Sequence, residues 1–139
     1  MLGIKIKDTR QSNGSRFLSF DLRDILAVIG EPILKSRWRC RDLCYTANID
    51  EEASEIREAR LNLTGEELIQ LSSRIHQTID GRFEGRGEGV AKKPWLIIVA
   101  FDSSWFEVWS SKPAILEMVR KHFKKVSDIP GNINETVTQ

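Results

Sequence analysis

Apolar and polar positions alternate at the N-terminus, where Ile4 and Ile6 are interleaved with Lys5 and Lys7. A period of two is the signature of a half-buried strand. Asn13-Gly14 follows, ahead of Arg16-Phe17-Leu18-Ser19-Phe20. That dipeptide predicts a type I′ turn, whose two central residues both need positive φ. The expectation is that the strands around 4–7 and 16–20 pair across it. Leu22, Ile25, Leu26 and Ile29 then recur at i, i+3, i+4 and i+7, one face of a helix. Asp21 supplies its N-cap, and Gly30 followed by Pro32 stops it.

From Ser36 to Ala47 the pattern returns to strand. Arg37, Arg39 and Arg41 fall on one side and Trp38 and Cys40 on the other. Asp42-Leu43 breaks the alternation, which predicts a bulge. The acidic stretch Asn48 to Glu55 reads as a connection. Ala59, Leu61 and Leu63 alternate with Glu58, Arg60 and Asn62, a strand over 56–63, with a helix through Glu51–Arg60 as the rival. Thr64-Gly65-Glu66-Glu67 has the form of a capping box. Leu68, Leu71, Ile75 and Ile79 continue as a stripe, predicting a helix over 65–78. Gly81 to Arg86 reads as a short piece around Phe83, and Gly85 to Pro94 as a glycine- and charge-rich loop.

Trp95 to Phe101 is apolar on both faces, as in a central strand. Asp102-Ser103-Ser104 reads as a turn into a second strand, Trp105 to Trp109. Ser110 or Ser111 caps a last helix, with Pro113 in its first turn, where a missing amide does no harm. Its inner stripe is Ile115, Met118, Val119, His122, Phe123 and Val126. The resulting order, ββα-ββα-βββα, predicts an α+β two-layer sandwich: a mostly antiparallel sheet with about three helices on one face. One domain over 1–128 and a flexible C-terminal tail over 129–139 complete the expected organisation.

Composition narrows the function more than the fold. The chain has 139 residues, with 21 Lys and Arg against 20 Asp and Glu, for a formal net charge of +1. This balance argues against a dedicated nucleic-acid binder and against a disordered tail protein. The longest apolar run, Trp95 to Phe101, has seven residues, far short of the ~20 that span a bilayer. The first residues lack the apolar core of a signal peptide. On these grounds the expected location is cytoplasmic, with no membrane partner. Cys40 and Cys44 lie about 13 Å apart along a strand, too far for a disulfide, and read as reduced thiols.

The strongest candidate surface is the aromatic hairpin. Trp105, Glu107 and Trp109 share one face of their strand, and Phe106 and Val108 share the other. A two-layer fold needs one apolar sheet face, so the second face predicts an aromatic patch for a partner, with Trp38 joining it. The alternative is that residues 84–94 or the tail cover this face. Arg37, Arg39 and Arg41, with Lys35 before them and Arg82 and Arg86 as possible additions, form a second, basic candidate surface. Its plainer reading is a solvated face, or an edge strand protected by charge.

Other chemistry is sparse. The acidic run Asp50-Glu51-Glu52, with Glu55 and Glu58, lacks the spacing and turn glycine of a calcium loop. Two histidines and a Cys-x-x-x-Cys spacing do not make a zinc site. His76 reads as exposed and His122 as packed. No glycine-rich phosphate cradle follows a strand, so no cofactor is expected. The leading expectation is a non-catalytic protein-binding or regulatory module, of inhibitor or immunity type, using Trp105, Trp109, Glu107, Trp38, Arg37, Arg39 and Arg41. One alternative is a small hydrolase with a site near Asp102, Ser103 and His122. The other is a structural homodimer through the sheet face.

Overall fold

A computed structural model of the chain describes residues 1–49, 52–87 and 93–133. The chain begins with β1 (Leu2–Ile6), a hairpin of β2 (Thr9–Ser12) and β3 (Ser15–Leu18), α1 (Leu22–Ile29) and the short α2 (Glu31–Leu34). Two long strands follow, β4 (Arg37–Ile49) and β5 (Glu52–Thr64), then α3 (Gly65–Arg74). It continues with β6 (Gln77–Arg86), β7 (Leu96–Phe101), β8 (Trp105–Ser110), α4 (Pro113–His122) and β9 (Val126–Ile129). Seven strands form one antiparallel sheet in the order β5-β4-β6-β7-β8-β1-β9. The fold is the expected α+β sandwich, and β7 is its central strand.

The register shows how the two faces differ. Leu61, Cys40, Phe83, Ile98, Val108 and Ile4 stand opposite one another across six strands. All but Leu61 are fully sealed in the core. This row faces the helices. Over it α1 packs on α3 and α4, α3 on β4 and β5, and α4 on β1 and β8. Asp21 ties α1 to the sheet. Its carboxylate caps the helix, accepting from the Leu22 amide at 2.7 Å, and also accepts from the amide and hydroxyl of Thr78 in β6 at 3.0 and 2.5 Å.

Several local expectations are met. Asp21 and Thr64 both form capping boxes. Asn13 and Gly14 have positive φ, 52° and 80°, as a type I′ turn requires. The β4 ladder to β6 shifts register after Arg41, where Asp42 has φ 50°, so the predicted bulge is present. Residues 56–63 are strand and not helix.

Other expectations are corrected. The Asn-Gly turn joins only its own flanks, β2 and β3, while β1 pairs with β8 and β9. Asp8 sets this corner: its carboxylate accepts from the amides of Lys124 and Lys125 at 2.6–3.1 Å. The same contact stops α4 at His122, so Val126 lies in β9 and not on the helix stripe. Ile129 closes β9 opposite Gly3 and is not tail; residues 134–139 lie outside the described residues. The buried face of α4 is Ile115, Leu116 and Val119, continued by Phe123, whereas Met118 is 42% exposed and His122 is exposed with its ring edge-on to Phe123. Helix α3 ends at Arg74 because β4 and α1 take the next backbone groups. The His76 amide donates to the Thr46 carbonyl, and the Ile75 carbonyl accepts from Arg23. The stretch read as a short piece around Phe83 is the interior strand β6, which includes Ile79. The acidic stretch 48–55 is not a connection, since β4 runs to Ile49 and β5 starts at Glu52; Asp50 and Glu51 lie outside the described residues. Pro32 does not end helical structure. It sits in the first turn of α2, where its missing amide costs nothing.

Candidate functional site

The sheet face turned away from the helices carries both candidate surfaces, side by side. Its first row reads Asn62, Arg39, Glu84, Ile97, Trp109, Gly3, and its second Arg60, Arg41, Arg82, Val99, Glu107, Lys5. A third pair, Arg37 and Arg86, extends the first half. The face therefore divides into an arginine half on β5, β4 and β6 and an aromatic half on β7, β8 and β1.

Glu84 is the centre of the arginine half. Its side chain is 0% exposed. Oε2 accepts from the Nε–H of Arg82 at 2.9 Å, Arg41 Nε lies 3.4 Å from Oε1, and Arg86 Nη2 lies 3.9 Å from it. A buried carboxylate is tolerable only when paired in this way. Around it, Arg37 stands opposite Arg86, and Arg41 opposite both Arg82 and Arg60. Like charges directly opposite one another destabilise a sheet. Burial holds Arg86 below the usual arginine range, with Arg39 and Arg41 pushing the same way against Glu84. The Nε of Arg39 is buried and has no hydrogen-bond partner among the described residues. Arg37 and Arg60 are exposed.

The aromatic half is clamped by Glu107. Its two carboxylate oxygens accept from the indole N–H groups of Trp105 and Trp109 at 3.1 and 2.9 Å. Trp109 lies flat over Gly3 and is only 4% exposed. Trp105 is half-buried and stacks on Phe101, with ring centroids 4.4 Å apart. Lys5 Nζ sits 4.3 Å over the same indole, a cation–π contact. Phe101, 48% exposed, is the apolar residue this half presents to solvent.

The chain matches no family model, no curated protein and no solved structure.

The predicted site residues are thus partly united. Arg37, Arg39 and Arg41 meet Arg82 and Arg86, and Trp105, Trp109 and Glu107 form one unit beside them. β4 lies inside the sheet, so edge protection does not explain its arginines. Trp38 does not join: it is 2% exposed on the helix-facing side, where its indole N–H donates to the Ile33 carbonyl at 3.1 Å. Glu84, Arg60 and Phe101 join the face without being among the candidate residues of the sequence. The alternation Arg82-Phe83-Glu84-Gly85-Arg86, charge on one side and apolar or glycine on the other, carries the signal for Glu84. Arg60, alternating with Leu61 and Leu63, carries its own.

The residues of the alternative catalytic reading occupy two different clefts. Ser103 and Ser104 line one of about 480 Å³ with Lys7, Arg16 and Trp105. His122 lines another of about 680 Å³ between α1 and α4, with Asp24 and Met118. Among the described residues no hydrogen bond joins His122 to Asp102 or Ser103. No cluster of metal-ligating side chains occurs among the described residues. No described helix is long and apolar enough to cross a membrane.

Proposed function

We propose that this chain is a non-catalytic binding module and that a partner protein docks on the helix-free face of its sheet. The observation that carries the reading is the grouping, on one face, of exposed Phe101 and half-buried Trp105 beside a field of six arginines. Aromatic residues and arginine are the types most enriched at interface centres. Placing arginine opposite arginine costs the fold stability, and local choices that oppose stability cluster at functional surfaces.

The test uses the full chain as bait in an extract of the cells that make it. Phe101→Asp with Arg60→Glu alters the face, and Met118→Asp alters the helix side as a control. The expected result is a protein retained by the unmodified chain and by Met118→Asp but lost with the face variant. Equal capture by all three baits overturns the proposal. So does a chain that sediments as a dimer and is dissociated by the face changes, since a second copy would then occupy this surface.

A further inference from the structure

We infer that the cleft between the β2–β3 hairpin and the β7–β8 turn binds a phosphate monoester carried on an apolar body. The inference goes beyond the docking face proposed above and uses none of its arginines.

The cleft holds about 480 Å³, and its walls come from three places. Lys7 follows β1 and Lys125 precedes β9. The Lys7 amide donates to the Lys125 carbonyl at 2.9 Å, which continues the ladder one step past Ile6 and Val126. The two lysines therefore stand opposite one another, an arrangement that costs a sheet stability. On the hairpin, Thr9 pairs with Leu18 and Gln11 with Arg16, so Thr9, Leu18 and Arg16 project from one side. The third wall is the turn into β8, with Ser103, Ser104 and then Trp105. Asp102 and Ser103 have φ 48° and 57°, a left-handed backbone that is costly for serine and recurs at functional sites. The Ser103 amide donates to the Ile79 carbonyl of β6 at 2.9 Å, which holds the turn in place.

The charge of this lining selects the ligand. Lys7, Arg16 and Lys125 line the cleft, and no carboxylate does. Among the described residues none of the three forms an ion pair. Asp8 is engaged by the amides of Lys124 and Lys125, and Glu107 by the two indoles. Lys5 adds a fourth cation beside the cleft: its Nζ lies 4.3 Å from the Trp105 ring centroid and that of Lys7 5.3 Å. A phosphate monoester carries about −1.5 to −2 charges at pH 7 and three terminal oxygens. Three cations and the hydroxyls of Thr9 and Ser103 suit it better than they suit a carboxylate, with its single charge and two oxygens. Arginine meets a phosphate through paired donors and lysine as a point charge. Leu18, Trp105 and Phe17, the last 45% exposed, supply apolar lining for the body that carries the ester.

Amide chemical-shift mapping of the full chain tests this with three probes. Phenyl phosphate has both parts, benzoate keeps the ring without the phosphate, and inorganic phosphate lacks the ring. Two variants with equal loss of charge are compared. Arg16→Gln with Lys125→Gln removes two cations of the cleft; Lys35→Gln with Lys121→Gln removes two that do not line it. All four residues are exposed, so the fold is expected to survive each change. The expected result is saturable shifts at Lys7, Arg16, Ser103 and Trp105 with phenyl phosphate, and weaker binding of the other two probes. The cleft pair is expected to weaken phenyl phosphate at least tenfold, and the other pair less than twofold. Equal weakening by both pairs reduces the effect to net charge and overturns the site. Benzoate binding as tightly as phenyl phosphate overturns the phosphate, and inorganic phosphate binding as tightly overturns the apolar body. Shifts centred elsewhere, or none, overturn the cleft. A phosphotyrosine pentapeptide separates the two sources of such an ester: tighter binding than phenyl phosphate places it on a partner protein, weaker binding on a free small molecule.

Discussion

Gly3 determines where Trp109 can lie. A Cβ at that position would sit 2.3 Å from the indole carbons, so only glycine lets the ring rest flat on β1. The tryptophans are legible in the sequence as a surplus of apolar sheet. That one indole would be sealed by a glycine on a strand more than a hundred residues away is not, because nothing local to Trp109 carries the pairing with Gly3. Cys40 shows the opposite case, a residue whose burial follows from its alternation with arginine. Burial, and after it the charge of Glu84, pushes its thiol up to about 12. The fold therefore holds the neutral thiol, whereas an unfolded chain ionises near pH 8.5. Because the folded value is the higher one, this contribution is complete below about pH 8.5 and is lost as pH rises toward 12. The urea midpoint of the unmodified chain is expected to fall more steeply between pH 8 and 10.5 than that of Cys40→Ala. Parallel slopes would show that the thiol is not held neutral.

Elements whose signals are local were the readable ones. Helix α1 announces itself through Leu22, Ile25, Leu26 and Ile29, and α3 through its capping box. The ends of α3 and α4 were not readable. There the helical stripe of apolar residues continues in phase, through Ile75 and Ile79 and through Val126, but distant partners capture the backbone first. Asp8 does this after α4, and Thr46, Arg23 and Asp21 do it after α3. Periodicity reports which residues go inside; it does not distinguish a helix continuing into the core from a strand entering it. Asp21 is the clearest such junction, since it caps α1 and satisfies two buried donors of Thr78 with one carboxylate. Loss of a cap costs about 0.5–2 kcal/mol, and a buried donor left without a partner about 1–3 kcal/mol. Asp21→Ala is thus expected to destabilise the chain by about 2–4 kcal/mol in chemical denaturation. Thr78→Val, which removes only one of the two donors along with its need, should cost less. A loss under about 0.5 kcal/mol for Asp21→Ala would mean that the junction does not hold α1 to the sheet.

At the scale of the whole molecule, the order of strands places chemistry that the sequence scatters. The predicted hairpins gave β7 next to β8 and suggested arginines on one side of β4. Bringing β6 in beside β4 creates the field around Glu84, and that adjacency is a long-range pairing that no local pattern encodes. The same order leaves β5 as an outer strand, thirteen residues long, with one ladder edge unpaired among the described residues. A strand of that length invites pairing with another chain unless charge opposes it. Its sequence supplies the charge: Glu55, Arg57, Glu58 and Arg60 are spread along it, and Arg57 pairs with Glu55 at 2.8 Å. Replacing Glu55, Arg57 and Glu58 together by threonine keeps strand propensity while removing that protection. The expected outcome is a concentration-dependent rise in particle size by light scattering, with the circular-dichroism spectrum of the freshly prepared protein unchanged. Each single replacement should have little effect, since the remaining charges still oppose pairing. A triple variant that matches the unmodified chain in size at every concentration would show that the edge is blocked by something other than its charges.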